Sequence, residues 1–67
     1  MMISVGEDTF FSVLGMYGSV VVKMGASQVV FYHGGIGIAA YDRIKDRYLV
    51  KSEDIRRLTE RGRLDSH

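Results

Sequence analysis

A chain of 67 residues with a net charge of +1 and no cysteine has the length of one small domain, and it has no disulfide, thiolate metal site or CxxC redox pair. Charge is unevenly placed: between Thr9 and Tyr41 only Lys23 is fully charged, whereas Asp42 to His67 carries 14 Asp, Glu, Lys and Arg residues. The first stretch reads as core and the second as wet surface, and the pI of about 8.1 is below that of dedicated DNA-binding domains.

Met1 to Asp8 has no basic leader segment and reaches acid before any long apolar run, so no signal peptide is expected and a cytoplasmic or intravirion setting is. Phe10 to Val22 is apolar for 13 residues before Lys23, short of the ~20 that a spanning helix needs. No membrane segment is therefore expected. Asp8 is read as the cap of a short helix in which Phe10, Val13, Leu14 and Tyr17 recur at i, i+3, i+4 and i+7, with Gly18 as its stop.

Two β-branched and aromatic runs follow, Ser19 to Met24 and Gln28 to His33, joined by Gly25-Ala26-Ser27, a short hairpin connection. Gly34-Gly35 supplies a second turn, since two glycines take positive φ without a Cβ clash, and Ile36 to Tyr41 returns along the preceding strand. For Asp42 to Val50, Tyr41, Ile44 and Tyr48 have helical spacing. A helix there would set Asp42 against Asp46 and Arg43 against Arg47, like charges at i,i+4. A turn near Lys45-Asp46 and a strand over Arg47 to Lys51 are therefore preferred. Ser52 is expected to cap a terminal helix with Glu53 and Asp54 in its first turn, Ile55 and Leu58 facing inward, and Gly62 as its stop.

The elements make an α+β fold: a small antiparallel meander of three to four strands with a short N-terminal helix and a C-terminal helix. A small closed β-barrel with a terminal helix is the alternative. Val20-Val21-Val22, Val29-Val30-Phe31-Tyr32 and Ile38-Ala39-Ala40 do not alternate apolar with polar, so both sheet faces are expected to be dry. Two short helices can cover one face. A second copy or another protein is expected on the other, through Val21, Val30, Tyr32 and Tyr41.

Catalysis finds little purchase. Val29-Val30-Phe31-Tyr32-His33-Gly34-Gly35 resembles the strand plus His-Gly-Gly oxyanion segment of hormone-sensitive-lipase-like α/β-hydrolases, which implies a serine on a G-x-S-x-G turn. None of the six serines has that setting; Ser27 has Gly25 before it but Val29 after. Gly34 to Gly37 lacks the lysine and serine of a phosphate loop. His33 and His67 are too far apart in sequence to form a local metal-ligand pair. No enzyme activity, cofactor or metal is expected.

Lys51, Arg56, Arg57, Arg61 and Arg63 suggest contact with nucleic acid, but Glu53, Asp54 and Glu60 lie three or four residues from the arginines and neutralise part of that charge. Asp42 to His67 has eight basic and six acidic residues, a net +2. The first expectation is thus a non-enzymatic interaction protein, homo-oligomeric or bound to a protein partner, of a size common in viruses and mobile elements such as phages. The second is a small dimeric nucleic-acid-binding regulator that uses its Arg-rich terminal helix.

Overall fold

The structure, a computed structural model, describes the backbone of residues 1–65 and the side chains of residues 1–62. Five strands and two helices follow in the order β1 (Met2–Val5), α1 (Glu7–Gly15), β2 (Val21–Met24), β3 (Gln28–His33), β4 (Ile36–Asp42), β5 (Arg47–Lys51) and α2 (Ser52–Asp65). The strands form one antiparallel sheet ordered β1-β5-β4-β3-β2. The α+β class and the meander are as expected, but the sheet is open, with β1 and β2 at its edges, so the barrel does not form. It also has five strands instead of three or four. The extra one is β1, in which Ile3 pairs with Val50 and Val5 with Tyr48.

Helix α1 starts after Gly6, whose extended backbone makes no side-chain cap. Asp8 therefore does not cap it. Together with Glu7 it lies in the first turn, where a carboxylate complements the positive helix end. The helix also stops before Gly18: the Met16 and Tyr17 amides donate to the carbonyls of Val13 and Leu14 at 3.1 Å, tightening the last turn to three-residue bonds. Phe10 and Val13 project from it and are fully buried.

These two side chains join Ile38, Ala39 and Val50 in the core, with Ile3, Val5, Leu14, Phe31, Tyr48, Ile55 and Leu58 packed around them. The Phe10 ring meets Phe31 edge-on at 5.2 Å and tilts against Tyr48 at 4.8 Å, the offset geometry that aromatic quadrupoles favour. Both helices pack over β5, on one face of the sheet.

Turns account for the firmest positions. Gly34 and Gly35 have φ of +58° and +80°, the left-handed pair that a two-residue hairpin turn requires. Between β4 and β5, the Asp42 carboxylate accepts the amides of Ile44 and Lys45 at 3.0 Å, and Asp46 takes a positive φ of 52°. Asp tolerates that region because its short polar side chain bonds locally.

The C-terminal helix departs from expectation at both ends. Ser52 follows β5 without a loop and already belongs to α2; its hydroxyl donates to Glu53 at 3.0 Å and its amide to the Met1 carbonyl at 3.0 Å. It is not a side-chain cap. Gly62 does not stop the helix, which runs on to Asp65; right-handed backbone is open to glycine at a cost of only about 1 kcal/mol.

Candidate interaction surface

Strand alternation divides the sheet into two faces. Along one, Ile3, Val50, Ala39 and Phe31 are successive cross-strand partners, as are Val5, Tyr48, Tyr41 and Val29; this face carries the helices. Along the other run Ser4, Leu49, Ala40, Val30 and Lys23, with Tyr32 opposite Val21. Nothing among the described residues covers that face.

Val21, Val30 and Tyr32 thus share the open face, and the half-buried Leu49 stands on it beyond the buried Ala40. Tyr41 does not join them. The β3–β4 register shifts between Phe31 and Tyr32: Phe31 pairs with Ala39 and Tyr32 with Gly37, which leaves Ile38 as an extra residue. Counted without that bulge, Tyr41 would oppose Gln28 on the open face. With it, Tyr41 opposes Val29 and lies 4.7 Å from the Tyr48 ring on the helix-bearing side. The bulge also places Ile38 and Ala39 together in the core, 2 % and 0 % exposed, so part of the non-alternating run needs no second cover.

Gly37 shapes the open face. A Cβ there would lie 3.7 Å from the Tyr32 ring and 3.9 Å from Val30, so both side chains lean over bare backbone and the face is level there. Toward the edge the cover thins on both sides. Every residue of β2 is exposed, with Val21 at 68 %, Val22 at 49 % and Met24 at 69 %, because the helices stand over β5 at the other side of the sheet. The expectation that Val20 to Val22 is buried on both faces is not met within this chain.

Among the described residues the basic side chains do not converge. Arg57 donates to the Asp54 carboxylate at 3.0 Å, and its guanidinium lies 5.6 Å from the centre of the Tyr17 ring. Lys51 follows Val50 along β5 and pairs with Met2, which assigns it to the open face and away from α2. Arg56 and Arg61 are exposed but five positions apart, about 140° around a helix. The Arg63 side chain lies outside the described residues.

A polar cluster that composition did not signal joins α2 to the α1–β2 connection. Asp54 is 1 % exposed; it accepts hydrogen bonds from the Tyr17 hydroxyl and Arg57. Burial, and then the hydrogen bond to Asp54, hold the Tyr17 phenol above the usual tyrosine range. Beside it, at 5.1 Å between rings, His33 has its Nδ1 2.7 Å from the Ser19 carbonyl. A carbonyl only accepts, so Nδ1 carries the proton. The cluster ties elements together: among the described residues no serine hydroxyl bonds to His33, and no three His, Asp or Glu side chains gather to hold a metal. His33-Gly34-Gly35 is the end of β3 and its turn.

Between the helices, Ser12, Gly15, Met16, Leu58, Arg61 and Gly62 line a shallow groove of about 290 Å³. Among the described residues no helix is long and apolar enough to cross a membrane. No family model matches the chain, and neither a curated protein nor a solved structure matches it.

Proposed function

We propose that the chain is a small non-enzymatic interaction protein that associates, with itself or with another protein, through its apolar β surface. One observation carries this reading: Val21, Val30 and Tyr32 stand on the uncovered face, continued by the half-buried Leu49, beside a strand exposed on both sides. The size of the core supports it. Among the described residues the buried apolar side chains are Phe10, Val13, Val29, Ile38, Ala39, Ala40 and Val50, three of which are alanine or lie at the margin of burial, and a chain this small gains from apolar surface covered by association.

The nucleic-acid reading draws less support, because binding phosphate needs several uncompensated charges on one surface. Arg57 is engaged by Asp54 and Lys51 belongs to the other side of the sheet. Light scattering across micromolar concentrations tests the proposal. The expected result is a species heavier than the 7.5 kDa chain that melts at a concentration-dependent temperature; a monodisperse 7.5 kDa species with a concentration-independent melt overturns it.

A further inference from the structure

The β2 edge offers a more specific contact than the face beside it. Gly25 donates its amide to the Gln28 carbonyl at 2.8 Å, which makes that pair the first rung of the β2–β3 ladder. Rungs then alternate: Lys23 and Val21 bond inward to Val30 and Tyr32, while Val22 and Met24 turn their N–H and C=O groups outward. Val20 has the same phase. Among the described residues these outward groups have no partner strand, and an unpaired apolar edge is a template for one.

The strand complements itself. An antiparallel second copy must set outward groups against outward groups, which permits a two-fold axis at any residue of β2, and only axes at Val22 and Lys23 pair three of its four residues. An axis at Lys23 puts two ammonium groups directly opposite one another, an unfavourable cross-strand pair. An axis at Val22 pairs Val22 with Val22 and Val20 with Met24, and it lays the Lys23 stem against Val21 of the other copy. Lys23 is the only full charge between Thr9 and Tyr41, so nothing else there repels. The helices stand over β5, three strand spacings or about 14 Å from β2, and leave the approach open. The exposed Val22 and Met24 of both copies then gather on one side of the seam.

We infer that two chains pair through β2 about a two-fold axis at Val22, joining two five-stranded sheets into one continuous sheet. This rests on the interaction reading and names its partner as a second copy of the chain.

Two substitutions test it, with Val30→Glu as a control. Val22→Pro removes an N–H that β2 does not use within its own chain, so the hairpin keeps its ladder while the seam loses a bond and meets a ring. Wild type is expected to scatter as a dimer of about twice 7.5 kDa, and Val22→Pro as a monomer with the wild-type circular dichroism spectrum. Val22→Cys is expected to cross-link on oxidation, since Cα atoms of a hydrogen-bonded pair lie about 5.5 Å apart, within disulfide reach. The chain has no other cysteine to confuse the product. Lys23→Cys is expected to cross-link far less; the reverse order overturns the register. If Val22→Pro remains a dimer while Val30→Glu becomes a folded monomer, association is through the open face: the edge pairing is overturned and the interaction reading stands. A wild type that is monomeric at every concentration overturns both.

Discussion

The Tyr17 hydroxyl donates to the Asp54 carboxylate across 37 positions of sequence, tying the segment after α1 to the first turn of α2. A carboxylate that is 1 % exposed is stable in folded protein only where its lost hydration is replaced. Here the phenol and Arg57 replace it, and the guanidinium in turn lies over the Tyr17 ring. Three side chains from two elements thus form one unit, and each leaves a buried or half-buried polar group unsatisfied if removed.

Tyr17→Phe is expected to cost about 1–3 kcal/mol, because the Asp54 oxygen loses its donor while staying buried. The variant also changes the alkaline limb of stability. Burial, followed by Asp54, raises the Tyr17 pKa in the folded chain. Its contribution is therefore complete below the unfolded tyrosine value near 10 and is lost as pH rises through the higher folded value. Wild-type melting temperature should fall above about pH 10, and Tyr17→Phe should fall less steeply over the same window. Some slope will persist. Tyr41, through its hydrogen bond to Asp46, and Tyr48, through burial, are raised too. Equal slopes for wild type and Tyr17→Phe would count against the linkage.

Glycine substitutions should separate by position. A Cβ on Gly25 would sit 2.7 Å from the Gln28 carbonyl oxygen, so Gly25→Ala must open the β2–β3 turn. Gly34→Val forces a branched side chain to φ of +58°, a conformation that costs such residues roughly 1–3 kcal/mol. Both should lower the melting temperature. Gly62→Ala should raise it, by up to about 1 kcal/mol of helix propensity, because the position is helical and open space surrounds the added methyl. Destabilisation by Gly62→Ala would instead mean that the helix ends there.

These differences show what could be read along the chain. β3 and β5 occupy the expected residues, Gln28–His33 and Arg47–Lys51, because β-branched and aromatic runs between strong turn residues leave few alternatives. β1 carries little sequence signal: Met2-Ile3-Ser4-Val5 is too short for its alternation to stand out, and it becomes a strand because β5 offers an edge. Gly18 and Gly62 suggest stops by composition, yet glycine permits a stop without imposing one. That Val21, Val30 and Tyr32 share one sheet face follows from strand alternation and is legible in the sequence. Tyr41 stands on the opposite face because one extra residue, Ile38, inverts every side chain beyond it, and no local signal marks a bulge in Ile36-Gly37-Ile38. The Asp54–Tyr17 contact was equally hidden, since nothing in either neighbourhood refers to the other.

The arginines of α2 provide the last prediction, because the fold treats them unequally. Arg57→Ala should cost about 1–3 kcal/mol: Asp54 stays buried and loses a charged donor, a larger effect than removing an exposed ion pair. Arg56 and Arg61 touch no acidic side chain within 4.0 Å among the described residues, and exposed substitutions away from such contacts usually change stability by less than about 0.5 kcal/mol. The Arg56→Glu, Arg61→Glu double variant should therefore fold, melt and associate as wild type does. On a heparin column the wild type should elute at low salt with a shallow salt dependence, since two arginines facing different directions release few counterions. If the wild type binds tightly with a steep salt slope, and the double variant loses that binding together with its biological effect while keeping its fold and mass, α2 reads phosphates and association through the sheet is not the protein's principal function.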